Sequence, residues 1–103
     1  MLKGHLDMLL LSVLRGHATH GYAIIGALKE RSGGSLDLPE GTIYPALHRL
    51  ERDGLIVSSW ADGATRRRRV YALTGRGAAA LERQRQDWEE LTGAVRAVLG
   101  WAR

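Results

Sequence analysis

Apolar positions along the chain switch between helical and strand spacing, and each switch predicts an element. From His5 to Arg15, the residues Leu6, Met8, Leu9, Leu10, Leu11, Val13 and Leu14 cover most of a helical circumference, broken only by Asp7 and Ser12. A helix apolar nearly all round is buried nearly all round, and a domain this small predicts that a second subunit covers part of it. The next helix spans about Gly21 to Arg31, with Tyr22, Ile24, Ile25 and Leu28 as its buried stripe and Gly33-Gly34 at its end. Thr19 is the expected N-cap, after a turn at His17 to Thr19. Ser35 to Leu38 alternates and reads as a short strand or an extended connector before Pro39.

The stretch Glu40 to Leu55 is the most informative. As a helix it aligns Ile43, Ala46, Leu47 and Leu50 on one face. At about 100° per residue, Pro45 and Arg52 fall nearly opposite, with Thr42, His48 and Arg49 close by. One face suits a core, and the other offers hydrogen-bonding and cationic groups. Pro45 removes a backbone donor and predicts a bent or loosened first turn, and Gly54 can take the left-handed conformation that ends the helix. Strands follow at Leu55 to Ala61 and Arg67 to Leu73, joined by a turn at Asp62 to Thr65. Together they predict a two-stranded ribbon with arginines at its tip, anchored on the helices by Tyr71 and Leu73.

Thr74 then caps a long helix reaching about Trp101. Leu81, Trp88, Leu91, Val95 and Val98 occupy a and d sites of a heptad frame, with Gln84 the polar d residue. At ~1.5 Å per residue this helix outruns the rest of the domain and reads as a dimerisation seam. The expected dimer core joins it to the first helix, through Leu6, Leu10, Leu81, Trp88, Leu91, Val95 and Val98.

Charge sharpens this picture. The 103 residues carry a formal net charge of +4. Arg66, Arg67, Arg68 and Arg69 alone account for that excess. Adjacent cations repel one another, which points to an anionic partner held against them. A membrane surface is the weaker choice, because no basic amphipathic helix accompanies the cluster. RNA lacks the exposed aromatic pairs on which single-strand readers stack bases. No run reaches the ~18–20 apolar residues that span a bilayer, and no signal-peptide cleavage pattern follows the amino terminus. The absence of cysteine removes disulfides and thiolate metal sites, and it suits a reducing cytoplasm. His17 and His20 lack the further ligands of a metal site. There is no phosphate loop or nucleophile elbow. The expectation is a protein that is not an enzyme and needs no cofactor.

The order HGYAIIGAL, then GTIYPALHRLERDGLI, then RRRRVYALT resembles the PadR family of bacterial transcriptional regulators, over about Leu6 to Leu99. Its single C-terminal helix resembles the family's short subgroup. The resemblance implies a homodimeric winged-helix repressor on inverted-repeat operators, often released by a small molecule. It implies Tyr22, Thr42, Tyr44, Pro45 and His48 as operator-facing or helix-positioning residues, and Arg67 to Arg69 as wing residues. Pro39 stands where many members place a capping serine. A tryptophan at the position of Trp88 sandwiches planar aromatic ligands in some PadR-like sensors, so Trp88 is either an effector platform or plain core packing.

The expected fold is mainly α with a small β-hairpin, a winged helix-turn-helix over 1–74 with a dimerisation helix over 75–103. The expected partners are double-stranded operator DNA, a second copy of the chain and a small aromatic effector, with no membrane. Arg49 and Arg52 join the reading face. Arg49 either bridges guanine O6 and N7 or pairs with Asp53 four residues on. The alternative function is a winged-helix module that binds protein and not DNA.

Overall fold

The computed structural model describes residues 5–63 and 67–100. Helix α1 spans Leu6–Gly16, strand β1 Thr19–His20, helix α2 Gly21–Arg31 and helix α3 Glu40–Arg52. Strands β2, Ile56–Asp62, and β3, Arg67–Leu73, lead into helix α4, Gly75–Leu99. The sheet is antiparallel with order β1-β3-β2. The expected two-stranded ribbon thus has a third strand. Thr19 pairs with Tyr71 and His20 with Val70, so Thr19 serves the sheet and His20 caps α2, its ring accepting from the Ala23 amide. Ser35 to Leu38 is connector, not strand.

The core lies where α1, α2 and α3 meet the sheet. Ile43, Leu47 and Leu50 of α3 are fully buried, together with Leu10, Leu11, Ile24, Ile56, Tyr71 and Leu81. Leu6 and Leu10 of α1, expected in a dimer interface, are covered by their own chain at 8% and 0% exposure. The reason is geometric: α1 is packed against α2, α3, α4 and β3 at once, which covers Leu6 and Leu10 while Met8 and Leu9 stay half-buried. Leu81 is likewise internal at 1%.

The junctions are sharply made. Helix α3 runs unbroken through Pro45. It ends where Leu55 N–H bonds the Leu50 carbonyl and Gly54 N–H bonds that of Glu51, with Gly54 at φ +79°. This is the paired closure of a Schellman motif, which needs the left-handed backbone that glycine takes freely. Thr74 caps α4 by accepting from Gly77 N–H, while its hydroxyl faces the Gly54 and Leu55 carbonyls at 2.8 and 3.0 Å. A Cβ on Gly77 would collide with the Leu55 carbonyl oxygen, so the first turn of α4 lies directly on the α3–β2 corner. The α2–α3 helix pair, the β2–β3 wing and the long terminal helix make a winged helix-turn-helix.

Candidate nucleic-acid interface

The outer face of α3 keeps the composition its spacing predicts. Pro45, His48 and Arg52 are exposed and Thr42 is half-buried. They line an open concavity of about 600 Å³ with Ala46, Arg49 and Leu6. Pro39 supplies no side-chain cap, but its carbonyl accepts from Thr42 and Ile43 at 3.0 and 3.2 Å. Glu40 in the first turn accepts from the Tyr22 hydroxyl of α2 at 3.3 Å. Tyr22 is 56% exposed. The Tyr44 ring lies against Gly21, where a Cβ would overlap it; this close approach sets how α2 crosses α3.

Arg49 departs from expectation. Its two terminal nitrogens donate to both Asp7 carboxylate oxygens of α1, at 2.7 and 2.8 Å. In the single chain its hydrogen-bonded partner is therefore Asp7 rather than Asp53. The hydrogen bonds to Asp7 hold the Arg49 pKa above its ordinary value, against the opposing effect of burial. A bidentate fork of this kind fixes both direction and distance, so Arg49 ties α3 to α1.

The arginine run also resolves differently. Arg66 lies outside the described residues, as do Ala64 and Thr65 of the expected turn and Trp101. Strand alternation divides the other three between two faces. Arg67 and Arg69 flank Trp60, with guanidinium carbons 5.5 and 5.2 Å from its ring centroid, within cation–π range. Trp60 pairs with Arg69 in register and is 54% exposed. Asp62 lies 3.8 Å from Arg67. Glu51 of α3 accepts from the Ser58 hydroxyl at 2.6 Å and lies 3.9 Å from Arg69, which joins the wing to the end of the helix. Arg68 points to the opposite face, where its Nη1 sits 2.9 Å from His20 Nε2. On the Arg69 face, burial raises the Tyr71 pKa against the nearby charge of Arg69.

A second surface lies on α4. Leu91, Val95 and Val98 are 52%, 46% and 87% exposed, a run of heptad positions with nothing over them in the single chain. Trp88 meets the His5 ring edge-on, with centroids 4.6 Å apart at 66°. It borders a hollow of about 250 Å³ with Asp7, Asp87 and Gln84. The Gln84 side-chain oxygen is buried there without a hydrogen-bond partner among the described residues. Among those residues no helix is long and apolar enough to cross a membrane, and no cluster suits a metal ion.

Sequence reasoning missed Asp7, Glu51, Trp60 and His20. Asp7 and Glu51 act across 42 and 7 residues, and no local period reports either contact. Trp60 was within reach, since closing the hairpin between Asp62 and Arg67 places it beside Arg69.

An exposed polar helix face braced beside an arginine-bearing hairpin is the layout of a winged-helix transcriptional regulator. Residues 10–83 match the model of the transcriptional regulator PadR-like family, and the chain belongs to that family. It is similar to transcriptional regulator Rv3488 of Mycobacterium tuberculosis, 53% identical over 60 residues, which are 58% of this chain and 53% of that protein. It is 31% identical over 94 residues to transcriptional regulator YqjI of Escherichia coli, covering 91% of this chain and 44% of that one. The chain therefore spans about half the length of these relatives. Among solved structures, a PadR family transcription regulator from Clostridium difficile superposes with TM-score 0.83 at 34% identity, over 92% of this chain and 98% of that one. A transcriptional regulator from Clostridium thermocellum gives 0.86 at 27% identity, over 93% and 94%. These relatives are named as transcriptional regulators, as is the family.

Proposed function

We propose that the chain binds a palindromic DNA operator as a homodimer and represses transcription from it in the cytoplasm. One observation carries the reading: α3 keeps Pro45, His48 and Arg52 exposed with Thr42 half-buried beside them, on a helix whose Glu51 lies 3.9 Å from the wing residue Arg69. In this reading α3 enters the major groove, where Thr42, His48 and Arg52 reach base edges or phosphates. Tyr22, Tyr44 and Pro45 set the helix, and the wing takes adjacent backbone. Arg66 belongs with Arg67 to Arg69 by charge. Arg49 is assigned to positioning, because Asp7 already occupies its fork. Glu40, Arg49, Glu51 and Arg52 make α3 neutral, so α3 supplies register and specificity while the wing supplies attraction.

The uncovered α4 seam, Trp88, Leu91, Val95 and Val98, supports a second copy of the chain as the dimer partner, through the unit 75–103. Twofold symmetry then requires half-sites about one helical turn apart. Trp88 serves either as core packing of this seam or as the platform for a small planar aromatic effector, and such a ligand acts only through unequal affinity for the free and DNA-bound geometries. Selection from a random duplex library with purified protein tests the reading. Enrichment of an inverted repeat is expected. No enrichment, with retained binding to a protein partner, would make this a protein-interaction module instead.

A further inference from the structure

The entry to α2 holds a conflict over one proton. His20 Nδ1 faces the Ala23 amide at 3.4 Å, and His20 Nε2 faces Arg68 Nη1 at 2.9 Å. Both neighbours are donors: a backbone amide has one hydrogen to give, and a guanidinium has only donors. A neutral imidazole has one N–H and one lone pair. With the hydrogen on Nε2, the cap is satisfied and Nε2–H meets an Arg68 hydrogen. With the hydrogen on Nδ1, Arg68 is satisfied and Nδ1–H meets the Ala23 amide. In either neutral tautomer one of the two contacts is not a hydrogen bond.

An anion would remove the conflict, and the surroundings are shaped for one. His20, Tyr22, Tyr44 and the arginines Arg67, Arg68 and Arg69 border a hollow of about 160 Å³. That is several times the ~30 Å³ share of one water molecule, room enough for a tetrahedral oxyanion. Three carboxylates already meet residues of this lining: Glu40 accepts from Tyr22 at 3.3 Å, Asp62 lies 3.8 Å from Arg67 and Glu51 lies 3.9 Å from Arg69; Arg68 is the lining arginine that none of these three holds. The hollow thus has the Arg68–His20 contact in its lining, with Tyr22 and Tyr44 on its α2–α3 side.

We propose that His20 and Arg68 form a receiver for one phosphate group of duplex DNA, in which the phosphate draws the Arg68 donors away from His20 Nε2. His20 then settles as the Nε2–H tautomer. Nδ1 keeps its lone pair for the Ala23 cap, and Nε2–H points at the phosphate. The proton passes from Nδ1 to Nε2 through solvent, so no net proton is taken up. The inference rests on the DNA-binding reading and adds to it a residue and a structural state. His20 becomes a DNA contact whose free form is frustrated and whose bound form is not.

Two substitutions separate this role from capping. Asparagine places its amide oxygen where Nδ1 sits and cannot reach the Nε2 position, so His20→Asn keeps the cap and loses the phosphate donor. Glutamine places its amide nitrogen near the Nε2 position and caps poorly, so His20→Gln keeps the donor. Affinity for a duplex of random sequence at low salt should fall about tenfold in His20→Asn, the scale of one hydrogen bond to a charged group. His20→Gln should stay near wild type, with thermal denaturation tracking its weaker cap separately. The reverse ranking, with asparagine like wild type and glutamine impaired, would make His20 a cap and nothing more. Nitrogen-15 NMR of the histidine rings gives the second readout, the His20 resonances being those lost in His20→Asn. Free protein should contain the Nδ1–H form, and added duplex should convert it to Nε2–H. Arg68→Ala should show Nε2–H with no DNA present. A tautomer unchanged by duplex overturns the proposal, whereas wild-type protein that binds no duplex at all removes the DNA reading beneath it.

Discussion

The Asp7–Arg49 bridge sets where α3 sits on the domain, and its strength can be worked from its geometry. Two short charge-assisted hydrogen bonds, 2.7 and 2.8 Å, join the groups. The side chains are 42% and 33% exposed, so water screens the pair. Exposed pairs couple by about 0.2–1 kcal/mol. Breaking a fully buried one costs about 3–5 kcal/mol. A half-exposed bidentate pair belongs between them, at about 1.5 kcal/mol. Asp7→Asn, Arg49→Met and the double variant, unfolded by urea at one fixed protein concentration, form the cycle that isolates this coupling. Asp7→Asn alone should cost about 1 kcal/mol, or roughly 4–8 °C in Tm for a domain of this size. Additivity within about 0.5 kcal/mol would show that the bridge contributes nothing. The same bridge changes what Arg49→Ala should do to DNA binding. Because the guanidinium places the helix, its loss should weaken binding to all sequences alike. Relaxed preference at a single base pair would instead mean that Arg49 leaves Asp7 to read guanine.

The wing predicts salt dependence: Arg67→Ala with Arg68→Ala should lower the slope of log affinity against log salt by about two per subunit, and an unchanged slope would take the wing off the DNA. Leu91→Asp should sediment as a folded monomer with lost operator affinity, since Leu91 is 52% exposed in the single chain and its charge is costly only beneath a partner; a dimer of undiminished stability refutes the seam. Gly77→Ala should destabilise by about 3 kcal/mol in denaturant unfolding, because the added methyl meets the Leu55 backbone carbonyl rather than a side chain that can turn away. Burial raises the Tyr71 pKa above the ordinary tyrosine value, so its contribution to stability is whole below that ordinary value and is lost as pH rises through the folded-state pKa. Tyr71→Phe should therefore flatten the alkaline limb of a stability–pH profile, and an unaltered limb assigns it to other groups.

What the sequence makes legible here is whatever a local period or a local backbone requirement encodes. The stripe Ile43, Ala46, Leu47, Leu50 is buried as spaced, and Gly54 and Thr74 close and open their helices through bonds to near neighbours. β1 escapes because two residues have no period, and its pairing with β3 is fixed only in three dimensions. Once that pairing exists, Thr19 is extended and the capping task falls to His20. Asp7 escapes for another reason: in a nearly all-apolar helix it reads as an interruption, yet its carboxylate is what accepts from Arg49. The arginine run shows the opposite error. Net charge treats four adjacent cations as one object, but a strand divides them by alternation, so Arg68 meets His20 while Arg67 and Arg69 meet Trp60.

Helix α4 shows what a heptad cannot say by itself. Its a and d residues repeat evenly, yet Leu81 is 1% exposed, Trp88 41%, Leu91 52% and Val98 87%. Periodicity identifies a face that wants cover, while burial says which part of it the chain already covers. The first turns belong to the domain core, pressed by Gly77 onto the α3–β2 corner, and the open seam begins after Gln84. Trp88 stands at that boundary, edge-on to His5 and beside the Asp7 that holds Arg49. A second copy closing over Leu91, Val95 and Val98 would bring its own residues to the edge of this hollow. Asp7 borders this hollow and also accepts from Arg49, so α4, α1 and α3 meet around one carboxylate.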